Sequence, residues 1–380
     1  MRIALLAHNL KKGGGLVVGM NFIRALRNAA PQHQYLICVP DVSGYEQIRL
    51  PEGSNFYFCP PSGPLRRLKL ELVTLPRLMK RFNPDAVLGL GNQGLLNIDC
   101  PQAIWVQSGY LVYPTRHFGK ISRKALFQII LQRAILRTCL KYSQLLFCHT
   151  PVMQQYLADH FGYDMTKIKI LPNALSSFLS NTQSKSSGKK PECLADDKFN
   201  CLILAPYTPH KNPEIILEIC LRNFERLKGV KFITTVSEEG SLAGKRFAHR
   251  LEANSHLREL IQDVGPIAHE QLESYYRNIQ LIIIPSLMES FGIPYLEAMY
   301  FGVPILTTDL DFARYLCGDA AAYYDPWRPE SLLEELLLLK SDSRIRQTLI
   351  QAGYKQYERF SHSWDDVVKT AIYEMERLVG

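Results

Sequence analysis

The chain has 380 residues, a net charge of +8 and an apolar fraction of 47%. This length is ample for two domains with packed cores. The nine cysteines are scattered without metal-ligand spacing, so we expect free thiols in a reducing compartment rather than a disulfide framework. Apolar stretches stay well below the ~20 residues of a membrane span, and the first is too short for a signal peptide. We therefore expect a cytoplasmic protein that is soluble or peripheral to the inner face of the cell membrane.

The first half of the chain alternates strand-like and helix-like segments, which is typical of a parallel sheet covered by helices on both faces. Strands are predicted at residues 2–7, 35–40, 56–60, 86–90, 103–107, 144–149 and 167–171. Helices are predicted near residues 16–30, 66–82, 121–141 and 151–161.

The second half repeats this alternation after a break at residues 176–198, which are rich in serine and lysine and predict a flexible linker. The pattern predicts an α/β fold of two doubly wound, Rossmann-like domains, residues 1–175 and 199–360, followed by an amphipathic terminal segment, residues 361–380. Strands are predicted at 200–206, 231–236, 262–265, 281–285, 304–308 and 321–324, and helices at 212–227, 270–278, 293–301 and 328–338.

Basic residues are concentrated in two amphipathic stretches of the first half. No carboxylate lies between Asp99 and Asp159. We interpret the two stretches as a surface for anionic lipid headgroups; the alternative is an ordinary solvated face. No aromatic–basic recognition module is present, so nucleic acid is not an expected partner. The basic residues are Arg66, Arg67, Lys69, Arg77, Lys80 and Arg81 in one stretch, and Arg116, Lys120, Arg123, Lys124, Arg133, Arg137 and Lys141 in the other.

Three consecutive glycines, Gly13, Gly14 and Gly15, follow the first predicted strand and precede a helix. They predict a loop whose backbone N–H groups can turn toward an anion. Together with Gly19 they miss the spacing of a dinucleotide-binding fingerprint. The alternative is a plain tight turn.

Residues 285–297 carry the most informative pattern. A buried apolar strand ends in a polar loop with Glu289, and a helix follows with Glu297 in its second turn. The N–H groups at the start of that helix favour phosphate, and Gly292 allows close approach to the backbone. A carboxylate at position 297 can accept two hydrogen bonds from a ribose diol, while Glu289 faces whatever lies beyond the phosphates. This spacing predicts a nucleotide-sugar site, with the diphosphate on the backbone of Ser290, Phe291, Gly292 and Ile293.

The two glutamates and their surroundings resemble retaining glycosyltransferases of the GT-B fold, in the family 4-like group that includes phosphatidylinositol mannosyltransferases and sucrose synthase. The resemblance is specific over about residues 260–330 and weaker elsewhere. Its further motifs are Gly265-Pro266, Leu272, Tyr275-Tyr276, Glu297-Ala298-Met299, Gly302-Val303-Pro304, Gly318-Asp319-Ala320-Ala321 and Tyr324-Asp325-Pro326.

The resemblance implies two domains facing a central cleft, with the donor in the second and the acceptor in the first. It implies transfer of a hexose from a GDP- or UDP-sugar to a saccharide or lipid-linked acceptor, with retention of anomeric configuration and no essential metal. It further implies a role in polysaccharide or glycolipid biosynthesis, and a C-terminal helix that packs back on the first domain. The glycine pair near Gly14 would then contact the donor phosphate and the acceptor.

Two departures from the family pattern concern chemistry. The resemblance assigns Lys211 to the leaving diphosphate, but the arginine usual five residues earlier is Pro206 here. A histidine usual near the transferred sugar is Gln107, which can hydrogen-bond a hydroxyl but cannot accept a proton at neutral pH. The alternative for Lys211 is an exposed turn lysine.

Other interpretations remain open. Asp309 and Asp311 form an Asp-x-Asp pair that could chelate a metal, although such pairs are common by chance. Isolated histidines, His8, His117 and His149, are expected to be solvated or core residues. The rival functions are a nucleotide-sugar epimerase of the same fold and a catalytically inactive sugar-binding scaffold.

Overall fold

The structure is a computed structural model that describes residues 1–11, 13–42, 44–60, 63–96, 98–175, 189–205, 208–236, 242–360 and 362–380. The chain divides into two compact units. The first comprises residues 1–113, 122–177 and 362–380, and the second comprises residues 114–121 and 178–361. Within the described ranges, no helix has the length and apolar character to cross a membrane.

The first unit is built on a parallel sheet with the order β3-β2-β1-β4-β5-β6-β7. The direction of winding reverses between β1 and β4, which makes the carboxyl ends of these neighbouring strands a topological switch point, where ligands bind in open α/β sheets. The strands are β1 (Arg2–Leu6), β2 (Gln34–Pro40), β3 (Asn55–Cys59), β4 (Ala86–Gly89), β5 (Gln102–Trp105), β6 (Leu145–Cys148) and β7 (Ile168–Ile170). All were predicted to within two residues at either end, because each is a short apolar run bounded by polar or turn residues.

Helices of the first unit connect these strands. The predicted single helix near residues 66–82 is continuous but passes through a π-helical turn, Leu70–Thr74. The helices are α1 (Gly13–Ala29), α2 (Pro64–Lys69), α3 (Leu75–Phe82), α4 (Gly109–Val112), α5 (Arg123–Leu140) and α6 (Pro151–Phe161).

The second unit has its own parallel sheet, with the order β10-β9-β8-β11-β12-β13 and a switch point between β8 and β11. Its strands are β8 (Phe199–Ile203), β9 (Val230–Thr234), β10 (Ile261–Asp263), β11 (Leu281–Ile284), β12 (Ile305–Thr308) and β13 (Ala321–Tyr324). Its helices are α7 (Glu214–Arg222), α8 (Phe224–Leu227), α9 (Leu242–Glu252), α10 (Ser255–Leu260), α11 (Leu272–Tyr276), α12 (Ile293–Phe301), α13 (Asp311–Cys317), α14 (Pro329–Ser341) and α15 (Ser343–Phe360).

The last helix, α16 (Trp364–Val379), belongs to the first unit. Ser363 and Asp366 form a capping box that fixes where the helix begins. Its apolar face, including Val368 and Ile372, is buried in the same core as Phe22 of α1. The sequence analysis expected this helix to return to the first domain.

Two predicted boundaries differ from the structure. Residues 114–121 were assigned to the first domain but pack in the second unit, where His117 and Phe118 are buried. Most of the predicted linker, residues 176–188, lies outside the described residues. Its last part is folded rather than flexible, since Leu194 is buried and Asn200 hydrogen-bonds the backbone of Ala195.

Candidate active site

The loop between β11 and α12 carries the candidate donor-binding residues. Gly292 precedes the helix in the left-handed region, at φ 88°, where a side chain would be strained. A Cβ atom on Gly292 would lie 2.6 Å from the ring of Tyr295. The glycine is therefore required by the backbone and by Tyr295, reasons that the sequence analysis did not foresee. Ser290 and Phe291 lie in the loop before α12, and Ile293 is the first residue of that helix, whose first N–H groups lack intrahelical partners.

Glu289 and Lys211 meet across the switch point of the second sheet. Lys211 follows β8 and Glu289 follows β11, and Lys211 Nζ donates to Glu289 Oε1 over 2.5 Å. Both are largely buried, with side-chain exposures of 18% and 9%. Ser286 Oγ donates to the same carboxylate oxygen over 2.6 Å. Two of the three residues that the sequence analysis assigned to the chemistry, Lys211 and Glu289 but not Gln107, thus form a buried ion pair.

The charge of Glu289 is set by opposing effects. Burial alone would raise its pKa, but the Lys211 ammonium, His210 and the hydrogen bond from Ser286 outweigh burial and lower the pKa. Burial, reinforced by the neighbouring Lys211, lowers the pKa of His210 to about 4. At neutral pH, Glu289 is therefore ionised and His210 is neutral.

Backbone contacts hold the two loops together. The Leu287 N–H donates to the His210 carbonyl over 2.7 Å. Thr308 at the end of β12 donates its hydroxyl to the Ser286 carbonyl over 2.8 Å. Pro206, where the family pattern has arginine, lies outside the described residues.

A third segment, residues 114–121, supports the same loops. His117 is 3% exposed, and its Nδ1 donates to the Leu287 carbonyl over 2.8 Å. Its Nε2 accepts from Arg116 over 3.1 Å, so the tautomer with the proton on Nδ1 satisfies both contacts. A Cβ on Gly119, which has φ 68°, would lie 2.3 Å from the carbonyl oxygen of Pro209. The sequence analysis regarded His117 as isolated and missed this role, which no local signal shows.

Glu297 lies one turn into α12 and is 3% exposed. Tyr276, at the end of α11, donates its hydroxyl to Glu297 Oε2 over 2.7 Å. Burial raises the pKa of Glu297 to about 7, although the Tyr276 hydrogen bond acts in the opposite direction. Tyr276 is itself fixed by stacking on Phe301, with ring centroids 5.2 Å apart. The carboxyl group is therefore poised to change charge near neutral pH.

The remaining predicted site residues lie in the first unit. Gln107 follows β5, and its Nε2 donates to the Leu90 carbonyl over 2.6 Å, so part of its side chain already has a structural role. The prediction of a loop at Gly13–Gly15 is wrong in one respect. All three glycines lie in the first turn of α1. The N–H groups of a first turn need no intrahelical partner, so glycine is tolerated at these positions. Gly13 has φ 63°.

The alternative metal pair and the other histidines have structural partners. Asp309 accepts two hydrogen bonds from Arg314, at 2.6 and 2.9 Å, and Asp311 hydrogen-bonds a backbone N–H at the start of α13. No group of three or more metal-binding side chains occurs among the described residues. His149 is a buried core residue whose Nδ1 donates to the Leu171 carbonyl over 3.1 Å, and burial lowers its pKa to about 4. His8 is also buried.

Two protein-family models match consecutive parts of the chain. The model described as "Glycosyltransferase Family 4" matches residues 12–176, and the model described as "Glycosyl transferases group 1" matches residues 188–356.

Known relatives are similar over part of their length. A D-inositol 3-phosphate glycosyltransferase of Paenarthrobacter aurescens is 23% identical over 220 residues, which cover 57% of this chain and 53% of the relative. An O-antigen chain mannosyltransferase B of Escherichia coli is 29% identical over 112 residues, or 30% of this chain and 29% of the relative. The matched region thus spans about half or less of these relatives.

Solved structures share the fold over the whole chain. HepE of Anabaena, in complex with UDP and glucose, has a TM-score of 0.71 at 15% identity and covers 99% of both chains. Sucrose-phosphate synthase from Thermosynechococcus elongatus has a TM-score of 0.75 at 14% identity and covers 100% of this chain and 99% of its own. WaaG, involved in lipopolysaccharide biosynthesis, has a TM-score of 0.73 at 14% identity, over 99% of both chains. The two parallel-sheet α/β units are those of the GT-B fold.

Proposed function

The chain belongs to the family 4-like glycosyltransferases, whose two domain models together match most of it, and on this premise we propose that it transfers a hexose from a nucleoside diphosphate sugar to a saccharide or lipid-linked acceptor. The observation that carries the proposal is the buried Lys211–Glu289 pair at the switch point of the second sheet, beside the helix that holds Glu297. The UDP in the HepE complexes supports a nucleotide donor. We propose GDP- or UDP-sugars as the donor class, and polysaccharide or glycolipid biosynthesis as the process.

Each residue has a distinct proposed role. The diphosphate binds at the N-terminus of α12, where N–H groups point outward and the helix dipole favours negative charge. Glu297 accepts hydrogen bonds from the ribose hydroxyls. Lys211 stabilises the charge that grows on the leaving diphosphate, since an interaction that strengthens in the transition state accelerates the chemical step. Glu289 faces the sugar and orients it once a phosphate competes for Lys211.

We propose that the transfer proceeds with retention and needs no essential metal. The bond between the anomeric carbon and the phosphate oxygen breaks, and its electron pair leaves with the diphosphate. The acceptor hydroxyl oxygen bonds to the anomeric carbon from the same face, and its proton passes to the departing phosphate oxygen. This route needs no protein base, which is consistent with glutamine at position 107. The protein contributes position and charge stabilisation.

A panel of nucleotide sugars tests the proposal without knowledge of the acceptor. We expect slow hydrolysis of one donor, which identifies base and sugar together. Glu297→Ala should weaken nucleotide binding by about 1.5–3 kcal/mol, whereas Glu289→Ala should spare binding and reduce turnover. Equal loss of nucleotide affinity in both variants would refute these roles. Loss of wild-type activity in chelator would refute the metal-free proposal, and epimerised donor without transfer would favour the rival function.

We further propose that α5 binds an anionic membrane surface. One face of this helix exposes Phe127, Ile130 and Leu131, with exposed fractions of 66%, 55% and 52%, beside exposed Arg123 and Lys124. Such a mixture of cationic and large apolar side chains suits the headgroup region of a bilayer.

Not every basic residue of the helix belongs to that proposed surface. Arg133 donates to the carbonyls of Tyr110 and Tyr113, and Arg137 donates to the carbonyl of His160. Reversing their charge would therefore disturb the fold as well as any membrane contact. The informative substitutions are confined to the exposed basic residues at the start of the helix.

Vesicle sedimentation tests the membrane proposal. Arg123→Glu with Lys124→Glu should weaken binding to anionic vesicles at low salt, since each basic residue contributes about 1 kcal/mol near such a surface. The matched control reverses two exposed basic residues of α15, Arg344 and Lys355. Wild-type binding should be released at high salt, where the charges are screened. No wild-type binding at low salt, or equal losses in the two double variants, would refute the proposal.

A further inference from the structure

A cavity of about 190 Å³ opens at the switch point of the first sheet. Its wall is formed by residues that follow β1, β4 and β5, together with one residue each from α2, α4 and α5. It is smaller than the roughly 300 Å³ at which sites for drug-sized ligands begin, so it suits one ring rather than an extended chain. The lining residues are Asn9, Leu10, Arg67, Gly91, Asn92, Gln93, Ser108, Leu111 and Gln132.

The floor of the cavity is a fixed network of amide groups. Asn9 Nδ2 donates to the Gly91 carbonyl over 2.5 Å, and a Cβ on Gly91 would lie 1.7 Å from Asn9 Oδ1, so only glycine admits this arrangement. Asn92, in the left-handed region at φ 66°, accepts from the backbone N–H groups of Gln107 and Ser108 over 2.6 and 2.8 Å. The network holds its polar atoms in place before any ligand arrives.

The charge of the cavity is compensated. Arg67 is its only charged lining residue within the described part of the chain. Its Nε donates to Glu71 Oε1 over 2.8 Å, and a terminal nitrogen donates to Gln93 Oε1 over 2.9 Å. An incoming phosphate or carboxylate would have to displace Glu71 from the guanidinium or face its negative charge. The site therefore disfavours anions although it contains an arginine.

The same wall suits a ring that bears hydroxyl groups. Amide and hydroxyl side chains both donate and accept hydrogen bonds, and the wall carries four such groups in Asn92, Gln93, Ser108 and Gln132. Leu10 and Leu111 add buried apolar surface, against which the C–H groups of a ring can pack. We infer that this cavity binds the acceptor end as an uncharged polyhydroxylated ring, a sugar or cyclitol without phosphate or carboxylate. This inference rests on the proposed glycosyl transfer.

The experiment compares ring acceptors that differ only in charge. The probes are methyl hexopyranosides and myo-inositol, each paired with its monophosphate, and the readout is nucleoside diphosphate released above the rate with water alone. Gln132 is exposed and lines the cavity, so Gln132→Arg adds an uncompensated cation there. Gln128→Arg adds the same charge one turn earlier on α5, at an exposed position outside the lining.

We expect an uncharged ring to stimulate release by wild type at least about tenfold more strongly than its phosphate, since an uncompensated buried charge is costly. Gln132→Arg should narrow or reverse this preference, and Gln128→Arg should leave it unchanged. A preference of wild type for phosphorylated rings, the same response in both variants, or no stimulation by any uncharged ring would overturn the inference. In each of these cases, persisting donor hydrolysis would leave the proposed function intact, whereas loss of hydrolysis for every donor would refute the proposed function itself.

Discussion

The raised pKa of Glu297 predicts that donor affinity depends on pH. Burial places this pKa at about 7 in the free protein. Ribose hydroxyls that donate to the carboxylate favour its ionised form, so binding should lower the pKa and release a proton. If the bound form is fully ionised, the apparent association constant should fall about tenfold between pH 8 and pH 6, because a group with this pKa changes from mostly ionised to mostly protonated over that interval.

Equilibrium titration with an intact nucleotide sugar measures this dependence, because its diphosphate, unlike the terminal phosphate of a free nucleotide, does not itself titrate near neutral pH. Glu297→Gln, which cannot ionise, is the matched control and should bind with little pH dependence. A flat profile for wild type, or the same slope in both proteins, would refute the reasoning. The stability of the free protein changes with pH in the opposite direction to donor affinity, because burial favours the neutral carboxyl of the folded state. We expect roughly 3 kcal/mol of this contribution to be lost as the pH rises from about 4.5 to about 7.

Three further substitutions test the contacts around the site. Lys211→Ala should lower the free energy of unfolding by about 3–5 kcal/mol, because it leaves Glu289 buried without its cation. In urea denaturation, the double variant Lys211→Met with Glu289→Gln should recover most of that loss. Equal losses in the single and the double variant would exclude an electrostatic origin. Tyr276→Phe removes a hydrogen bond that lowers the pKa of a buried carboxyl, so the pH profile of donor affinity should move to higher pH, and an unmoved profile would contradict this. Gly119→Ala should slow donor hydrolysis more than Gly162→Ala. Gly162 has a similar φ of 64°, but a Cβ there would meet no atom within 4 Å, whereas a Cβ on Gly119 would clash with Pro209. Equal effects of the two substitutions would mean that residues 114–121 do not support the catalytic loops.

The strands could be predicted because their signal is local. Each buried strand, such as Leu281–Ile284, is an apolar run that ends at a turn residue, and its neighbours in a parallel sheet need not be known to recognise it. Helix α15 was missed because its sequence is largely polar, with few residues to mark a buried face. Helix α9 was missed for the same reason, since about half of its 11 residues are polar or charged. Helices α10 and α13 were missed because they have only six and seven residues.

The site was only partly predictable for a different reason. Glu289 and Glu297 stand in a recognisable local motif, but the partners of these residues are distant in sequence. Lys211 meets Glu289 across 78 residues, and His117 meets Leu287 across 170. Such contacts depend on how strands and loops come together in space, which spacing along the chain does not encode.

Proton NMR of the sugar released from an α-linked nucleotide sugar tests the central claim most directly. If the chain is a retaining, nucleotide-sugar-dependent transferase, slow hydrolysis of one donor should first yield the α-anomer, before mutarotation mixes the two forms. Early appearance of the β-anomer would contradict retention, and the absence of hydrolysis for every donor would contradict the proposed activity.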